Sequence, residues 1–156
     1  DMHKYLFNNN KIQKDSTNNA FPTKVLEDLS GYSKKKKNKN LISNYQVSHV
    51  FGRTKNALTF GAPWNIVYMP KIYDPFTGHE SSGTLKDKFR LSLEKQTYKK
   101  FKPLIEDYNS IINNSEFNKK LENALAKILQ NKSKYKYWKK QDIAALMKNE
   151  FSFIKV

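Results

Sequence analysis

Two histidines and one asparagine stand at the boundaries of predicted elements in the first half of the chain. His49 closes an apolar run, Asn65 opens a second apolar run, and His79 lies just before a helical pattern. A neutral imidazole can take a proton from water near pH 7. When a divalent ion also stabilises the phosphoryl oxygens, this chemistry is sufficient to hydrolyse a phosphodiester.

The elements that must position these residues predict an α+β fold. Residues 41–51 and 64–69 are rich in β-forming side chains and predict two strands. Residues 84–101 carry apolar side chains at four-residue spacing, which predicts an amphipathic helix. The sequence thus predicts a small β-hairpin and one helix, embedded in a mostly helical domain.

Apolar stripes predict further helices on both sides of this unit. A short helix is predicted over residues 22–29, and Gly31 is predicted to end it. Other helices are predicted to begin at Pro103, at a capping Ser115 and at Gln141. These stripes are typical of core packing rather than of cofactor contacts.

The length of 156 residues predicts a single domain. Residues 1–40 are predicted to form a loose N-terminal arm with a short helix and a Lys-rich loop. Residues 41–101 form the predicted core of the domain. Residues 102–156 are a C-terminal helical region, which we expect to be part of the same domain.

The ordered set of His49, Asn65 and His79 resembles the HNH, or ββα-metal (His-Me finger), family of endonucleases. The resemblance covers residues 42–80 and implies that residues 41–101 form a ββα-metal nuclease core. It implies that His49 is the general base and His79 a metal ligand. Asn65 either braces the loop that orients the base or ligates the metal itself.

The metal shell implied by this resemblance departs from the family pattern. The residue before the base is often Asp in the family, whereas here it is Ser48, a poor ligand. Asn65 and His79 are therefore the first choice of ligands, with Asp74 or Glu80 supplying a hard oxygen. The implied cofactor is one divalent ion, with Mg²⁺ as the first choice and Mn²⁺ as the alternative.

The net charge of +15 predicts a polyanionic partner. Basic residues are spread along the whole length, which favours nucleic acid over a membrane surface. The alternative for the Lys-rich loop, residues 33–40, is a solvated loop. The alternative for the patch of interleaved aromatic and basic residues at 132–140 is a basic loop between two helices whose Tyr and Trp side chains pack inward. The predicted nucleic-acid contacts are Arg53, Lys55, Lys34, Lys35, Lys36, Lys37, Lys134, Tyr135, Lys136, Trp138, Lys139 and Lys140.

Several competing chemistries are excluded by the residues themselves. The chain has no cysteine, so it has neither disulfides nor thiolate ligands. No Asp or Glu has a Lys two positions later, and no His has a Lys at that offset, so two other nuclease signatures are missing. The Gly-rich phosphate loop GxxxxGK[ST] is also missing.

The sequence therefore predicts a cytoplasmic, metal-dependent HNH endonuclease that hydrolyses DNA in restriction or defence. It is predicted to act as a homodimer or as part of a larger polypeptide, away from membranes. One alternative is a non-catalytic DNA- or RNA-binding module. Another is a nuclease toxin domain of a longer polypeptide, which the start at Asp1 suggests. His3 is predicted to have no role in the site.

Overall fold

Helices make up most of the described chain, and two small sheets accompany them in an α+β arrangement. The computed structural model describes residues 2–9, 11–12, 14–15, 17, 19–35, 38–77, 82–130 and 139–156. The helices are α1 (Met2–Phe7), α2 (Ala20–Ser30), α3 (Asp74–Thr77), α4 (Thr84–Asn113), α5 (Ser115–Gln130) and α6 (Lys140–Glu150). The strands are β1 (Tyr32–Ser33), β2 (Asn40–Leu41), β3 (Tyr45–His49) and β4 (Ile66–Pro70). Over these ranges, no helix combines the length and the apolar content that crossing a membrane requires.

The two strands nearest the predicted site form an antiparallel pair. In β3 and β4, His49 lies opposite Ile66 and Tyr45 lies opposite Pro70. The predicted strand over residues 41–51 is divided in two, because Asn44 adopts a left-handed φ of 58° that an extended strand cannot continue through. Its first part, β2, pairs instead with β1 in a separate parallel sheet. A long loop follows His49 and returns the chain to β4.

The helix α4 is bent near its middle, at the break that the sequence predicts. Phe101 has φ −113° and ψ 24°, outside the helical range, and Pro103 follows inside the helix. A proline has no N–H to donate and its ring collides with the preceding turn, so a kink results. The first half of α4 packs along α3, whereas the second half buries Ile105, Tyr108 and Ile112.

The main apolar core includes both ends of the segment that joins His49 to Asn65. We call residues 50–60 of this segment the His49 loop. Val50 and Phe51 are buried directly after His49, and Trp64 is buried directly before Asn65. Trp64 packs against Phe51 at 6.1 Å and against Tyr108 at 5.6 Å between ring centroids. His49 therefore lies half-buried at the edge of this core, whereas Asn65 is buried within it.

Two local predictions differ from the structure. The N-terminal arm contains α1, which packs on α5 and buries Leu6 at 5% exposure. Six helical residues are too few to give a clear periodic stripe, so the sequence alone did not indicate this helix. The cap of α5 is Asn114 rather than Ser115, since the Asn114 Oδ1 accepts from the backbone N–H groups of Glu116 and Phe117.

Candidate active site

His49 presents one ring nitrogen to the protein and leaves the other free of an internal hydrogen bond in the described structure. Its Nε2 lies 2.9 Å from the carbonyl oxygen of Phe60, at the end of the His49 loop. A carbonyl can only accept, so Nε2 carries the hydrogen and Nδ1 is the basic nitrogen of the neutral ring. The Phe60 ring stacks on the imidazole at 5.4 Å and fixes its plane.

The surroundings of His49 favour its neutral form. Burial lowers the pKa of the imidazole, because a charged ring loses hydration there. The hydrogen bond to Phe60 and the negative charge of Glu150 act in the opposite direction without reversing the shift. His49 is therefore ready to accept a proton at neutral pH.

The side chain of Asn65 holds the His49 loop closed from within. Its Nδ2 donates to the carbonyl oxygens of Gly52 and Thr59, each at 3.0 Å, and its Oδ1 accepts from the N–H of Phe51 at 2.9 Å. The side chain is fully buried, with 0% exposure. Both amide hydrogens and the amide oxygen are thus used inside the protein, which is the geometry of a loop brace rather than of an exposed metal ligand.

A cavity of about 160 Å³ lies beside His49, between the end of β3, α3 and the first half of α4. The polar residues that line it are Ser48, His49, Thr77, Lys86, Arg90 and Glu94. The last three recur every four residues along α4, so they share one face of the helix. This face brings two cations and one carboxylate to the cavity that His49 lines.

The charged residues of α4 differ in exposure and in environment. Arg90 is 60% exposed, whereas Glu94, 3.7 Å away, is 21% exposed. Burial raises the pKa of the Glu94 carboxyl, and the positive charges of Arg90 and Arg53 counteract this shift. The sequence analysis did not single out Lys86, Arg90 or Glu94. The four-residue spacing was visible, but nothing local indicated which face of the helix would line the cavity beside His49.

The guanidinium group of Arg53 donates its hydrogen bonds to other parts of the protein. Its Nη2 donates to the Oγ of Ser152 and to the carbonyl oxygen of Phe153, both at 2.8 Å. Its Nε and Nη1 donate to the carbonyl oxygens of Ser152 and Phe51 at 3.3 and 3.2 Å. The residue that the sequence predicted as a phosphate contact is thus committed to holding the protein's own backbone. The neighbouring Lys55 is exposed, and its N–H donates to Glu150 at 2.8 Å.

Other predicted site residues lie away from the cavity. The Asp74 carboxylate, predicted as a metal ligand, accepts a hydrogen bond from the Gln46 amide and does not line the cavity. Burial lowers the pKa of Lys34, and the positive charge of the nearby Lys71 lowers it further. Lys71 follows Pro70, which lies at the end of the β3–β4 pair opposite to His49. The two ends of this pair are roughly 14 Å apart, the length of a five-residue strand. Three further predicted contacts are exposed, namely Lys35, Lys139 and Lys140.

The remaining predicted residues lie outside the described ranges. These are His79, Glu80, Lys36, Lys37, Lys134, Tyr135, Lys136 and Trp138. Within the described ranges, no three His, Cys, Asp or Glu side chains form a group that could hold a metal ion. The carboxylate that the described structure brings to the cavity is that of Glu94.

The environment of His49 predicts its titration and its tautomer. We expect an NMR titration to give a midpoint below the ordinary histidine value of about 6.5, because burial disfavours the charged ring. The neutral form should carry its hydrogen on Nε2. A spectrum of His49→Ala identifies the resonance, and the chain unfolded in urea gives the reference. A midpoint at or above the reference would contradict the described environment.

Comparison with known proteins gives the chain its family. A curated relative from Pasteurella multocida (strain Pm70), described as "Uncharacterized protein PM1201", is 51% identical over 112 residues. That match covers 72% of this chain and 49% of the relative, so the matched segment spans about half of the relative's length. No solved structure matches the chain. The family model described as "Uncharacterised protein PM1201" matches residues 1–156, and the chain belongs to this family.

Proposed function

We propose that this chain is a metal-dependent HNH-type endonuclease that hydrolyses DNA, with residues 41–101 as a ββα-metal core. One observation carries the proposal. A half-buried histidine at the end of β3 has its Nε2 fixed by the Phe60 carbonyl and lines a cavity that a basic helix face also lines. The net charge of +15 supports a polyanionic substrate. The assignments to restriction or defence and to the cytoplasm rest on the resemblance and the composition.

In the proposed reaction, His49 acts as the general base. Its Nδ1 takes a proton from water, and the oxygen so activated attacks the phosphorus as the bond to the leaving oxygen breaks. The burial that keeps the imidazole neutral at rest also keeps Nδ1 available for this proton. A positioned base of this kind contributes roughly 10²–10⁴-fold to the rate.

Asn65 acts in this proposal as the brace of the His49 loop. Of its two proposed roles, the brace is supported by three hydrogen bonds to Phe51, Gly52 and Thr59. By fixing Thr59, Asn65 also restrains the adjacent carbonyl of Phe60 on which the His49 tautomer depends. Asn65 is therefore a positioning residue, and it makes no contact with the reacting atoms.

The proposed phosphate contacts are Arg90 and Lys86 rather than Arg53. Both side chains line the cavity beside His49, one helical turn apart. Arg90 is 60% exposed, so its planar fork can reach a phosphate and bind two of its oxygens. Positive charge at this position would also stabilise the charge that develops on the phosphoryl oxygens.

The donor set of the cavity fits a hydrated hard cation. Mg²⁺ keeps several waters and is commonly held by one or two carboxylates together with substrate phosphates. Glu94 would supply such a carboxylate, with His79 as the further ligand that the sequence predicts. When bound, the ion would supply charge stabilisation at the phosphate and at the leaving oxygen.

A plasmid assay tests the function. We expect the purified chain to cleave supercoiled DNA with Mg²⁺ or Mn²⁺ and to stop when EDTA is added. Binding to DNA, followed by fluorescence anisotropy, should persist in EDTA and weaken steeply with salt, because phosphate neutralisation releases counterions. Binding without cleavage under every metal condition would instead support the second candidate, a nucleic-acid-binding module, which the same charge favours.

A further inference from the structure

The His49 loop is held on two sides by different parts of the chain. Asn65 ties it from within, as described above. From the other side it is tied to residues 150–154, which we call the C-terminal strap. Asn56 donates to the backbone carbonyl of Glu150 at 2.9 Å, and the Glu150 carboxylate accepts from the N–H of Lys55 at 2.8 Å. Arg53 adds the three bonds to Ser152 and Phe153 already described.

The strap is itself anchored in the core. Phe151 and Ile154 are buried at 3% and 2% exposure. Asn109 on α4 bonds to Ile154 in both directions, at 3.0 and 2.9 Å. Tyr108 donates to the carbonyl oxygen of Ser152 at 3.2 Å, and burial raises its pKa to about 12, so this donor keeps its proton over the working pH range. The strap is therefore a fixed support for the loop.

The backbone conformation of Arg53 indicates that this position requires the arginine side chain, because the backbone alone would favour glycine. Arg53 has a φ of +52°, in the left-handed region where glycine is favoured and a side chain is disfavoured. Gly52, directly before it, is also left-handed, with φ +67°. An arginine at the second of two left-handed positions costs conformational free energy. The hydrogen bonds that its side chain donates to the strap compensate for this cost.

We propose that Arg53 is a positioning residue that locks the His49 loop onto the C-terminal strap and thereby holds the Phe60 carbonyl against His49 Nε2. The chain of contacts is short. The Arg53 carbonyl accepts from Thr59 Oγ1 at 2.8 Å, and Thr59 immediately precedes Phe60. Loss of the lock loosens Phe60, and the imidazole then loses the acceptor that selects its tautomer. The catalytic meaning of this tautomer rests on the proposed function, whereas the tautomer itself does not.

The first test is structural and needs no enzymatic activity. Nitrogen-15 NMR of the histidine ring at about pH 8 distinguishes the two neutral tautomers. The wild type should show hydrogen on Nε2 of His49, and Arg53→Gly should show a mixture of tautomers. Glycine suits the left-handed backbone, so this variant removes the side chain without straining the fold. Arg53→Lys should give the same direction of change, because one ammonium cannot reproduce the fork that spans Ser152 and Phe153.

Asn114→Ala is the matched control for a general loss of stability. It removes the cap of α5, whose hydrogen bonds come from Glu116 and Phe117 and not from the His49 loop, and it should leave the tautomer unchanged. An unchanged His49 tautomer in both Arg53 variants would overturn the proposal. A tautomer change of the same size in Asn114→Ala would also overturn it, since the effect would then not belong to the lock.

Kinetic measurements distinguish a positioning role of Arg53 from a direct contact with phosphate. If Arg53 positions the loop, kcat for DNA cleavage should fall, by up to roughly 10²-fold, with KM and the salt dependence of binding unchanged. If Arg53 instead grips a phosphate, KM should rise and the salt slope should decrease by about one, which would contradict the proposal. A wild type that does not cleave DNA would refute the proposed function, while the NMR result would still show whether Arg53 positions the His49 loop.

Discussion

Replacing His49 with alanine should abolish DNA cleavage while leaving DNA binding intact. The substitution removes the proposed base, so kcat should fall roughly 10²–10⁴-fold. The side chain makes one hydrogen bond, to Phe60, and is only half-buried, so the fold should survive its removal. The measurement is the rate of plasmid cleavage with saturating Mg²⁺, together with anisotropy titrations of labelled duplex in EDTA.

Two comparisons make this prediction specific to the base. Glu116→Gln alters an exposed carboxylate that pairs with Lys120 on α5 and lies outside the cavity, and it should leave the cleavage rate nearly unchanged. In the wild type, kcat/KM should decrease as the pH falls, with a midpoint below about 6.5, because only the neutral imidazole accepts a proton. Undiminished cleavage by His49→Ala would remove His49 from the mechanism and leave the proposed function without its base.

Replacing Asn65 with alanine should destabilise the protein and also inactivate it. The change leaves the Phe51 N–H and the Gly52 carbonyl without their partner inside the protein, whereas the Thr59 carbonyl keeps the N–H of Ala62. Each unsatisfied buried group costs roughly 1 kcal/mol or more, so the free energy of unfolding should fall by about 2 kcal/mol or more. Urea denaturation followed by circular dichroism measures this loss.

The matched control for Asn65 is Asn114→Ala. It also removes an amide side chain that accepts from backbone N–H groups, here those of Glu116 and Phe117 at the start of α5, and it bonds neither to the His49 loop nor to the strap. Both variants should lose stability, yet at a temperature where both are folded only Asn65→Ala should lose cleavage by more than about tenfold. Equal activities would show that Asn65 contributes to stability alone and not to the position of the base.

Local patterns were sufficient for most of the helices. The apolar stripe of α5 and the break before Pro103 were predicted, and the structure confirms both. Gly31 ends α2 in the left-handed conformation that this residue permits, as predicted. These features depend on residues within one or two turns of each other, and such neighbours are visible in a sequence.

Sequence patterns indicated fewer of the residues that line the candidate site. His49 and Asn65 were singled out because they stand at the ends of predicted strands, which the order of residues alone indicates. Arg53 was predicted to contact a phosphate because it stands in the loop just beyond His49, and its partners Ser152 and Phe153, 99 and 100 positions further along the chain, could not be foreseen from local sequence. Glu94 was overlooked because its place in the cavity depends on which face of α4 lies beside His49. That face is set by tertiary packing, which no local period determines.

The separation in sequence between the His49 loop and its support has a consequence for synthesis. A ribosome makes residue 53 long before residue 153, so a nascent chain contains the histidine but not the strap that fixes its loop. Closing so long a segment is also entropically costly and comes late in folding. Under the proposed function, the loop beside His49 is fixed only after residues 150–154 have left the ribosome, so a nascent chain that ends before them is expected to cleave DNA more slowly than the complete domain.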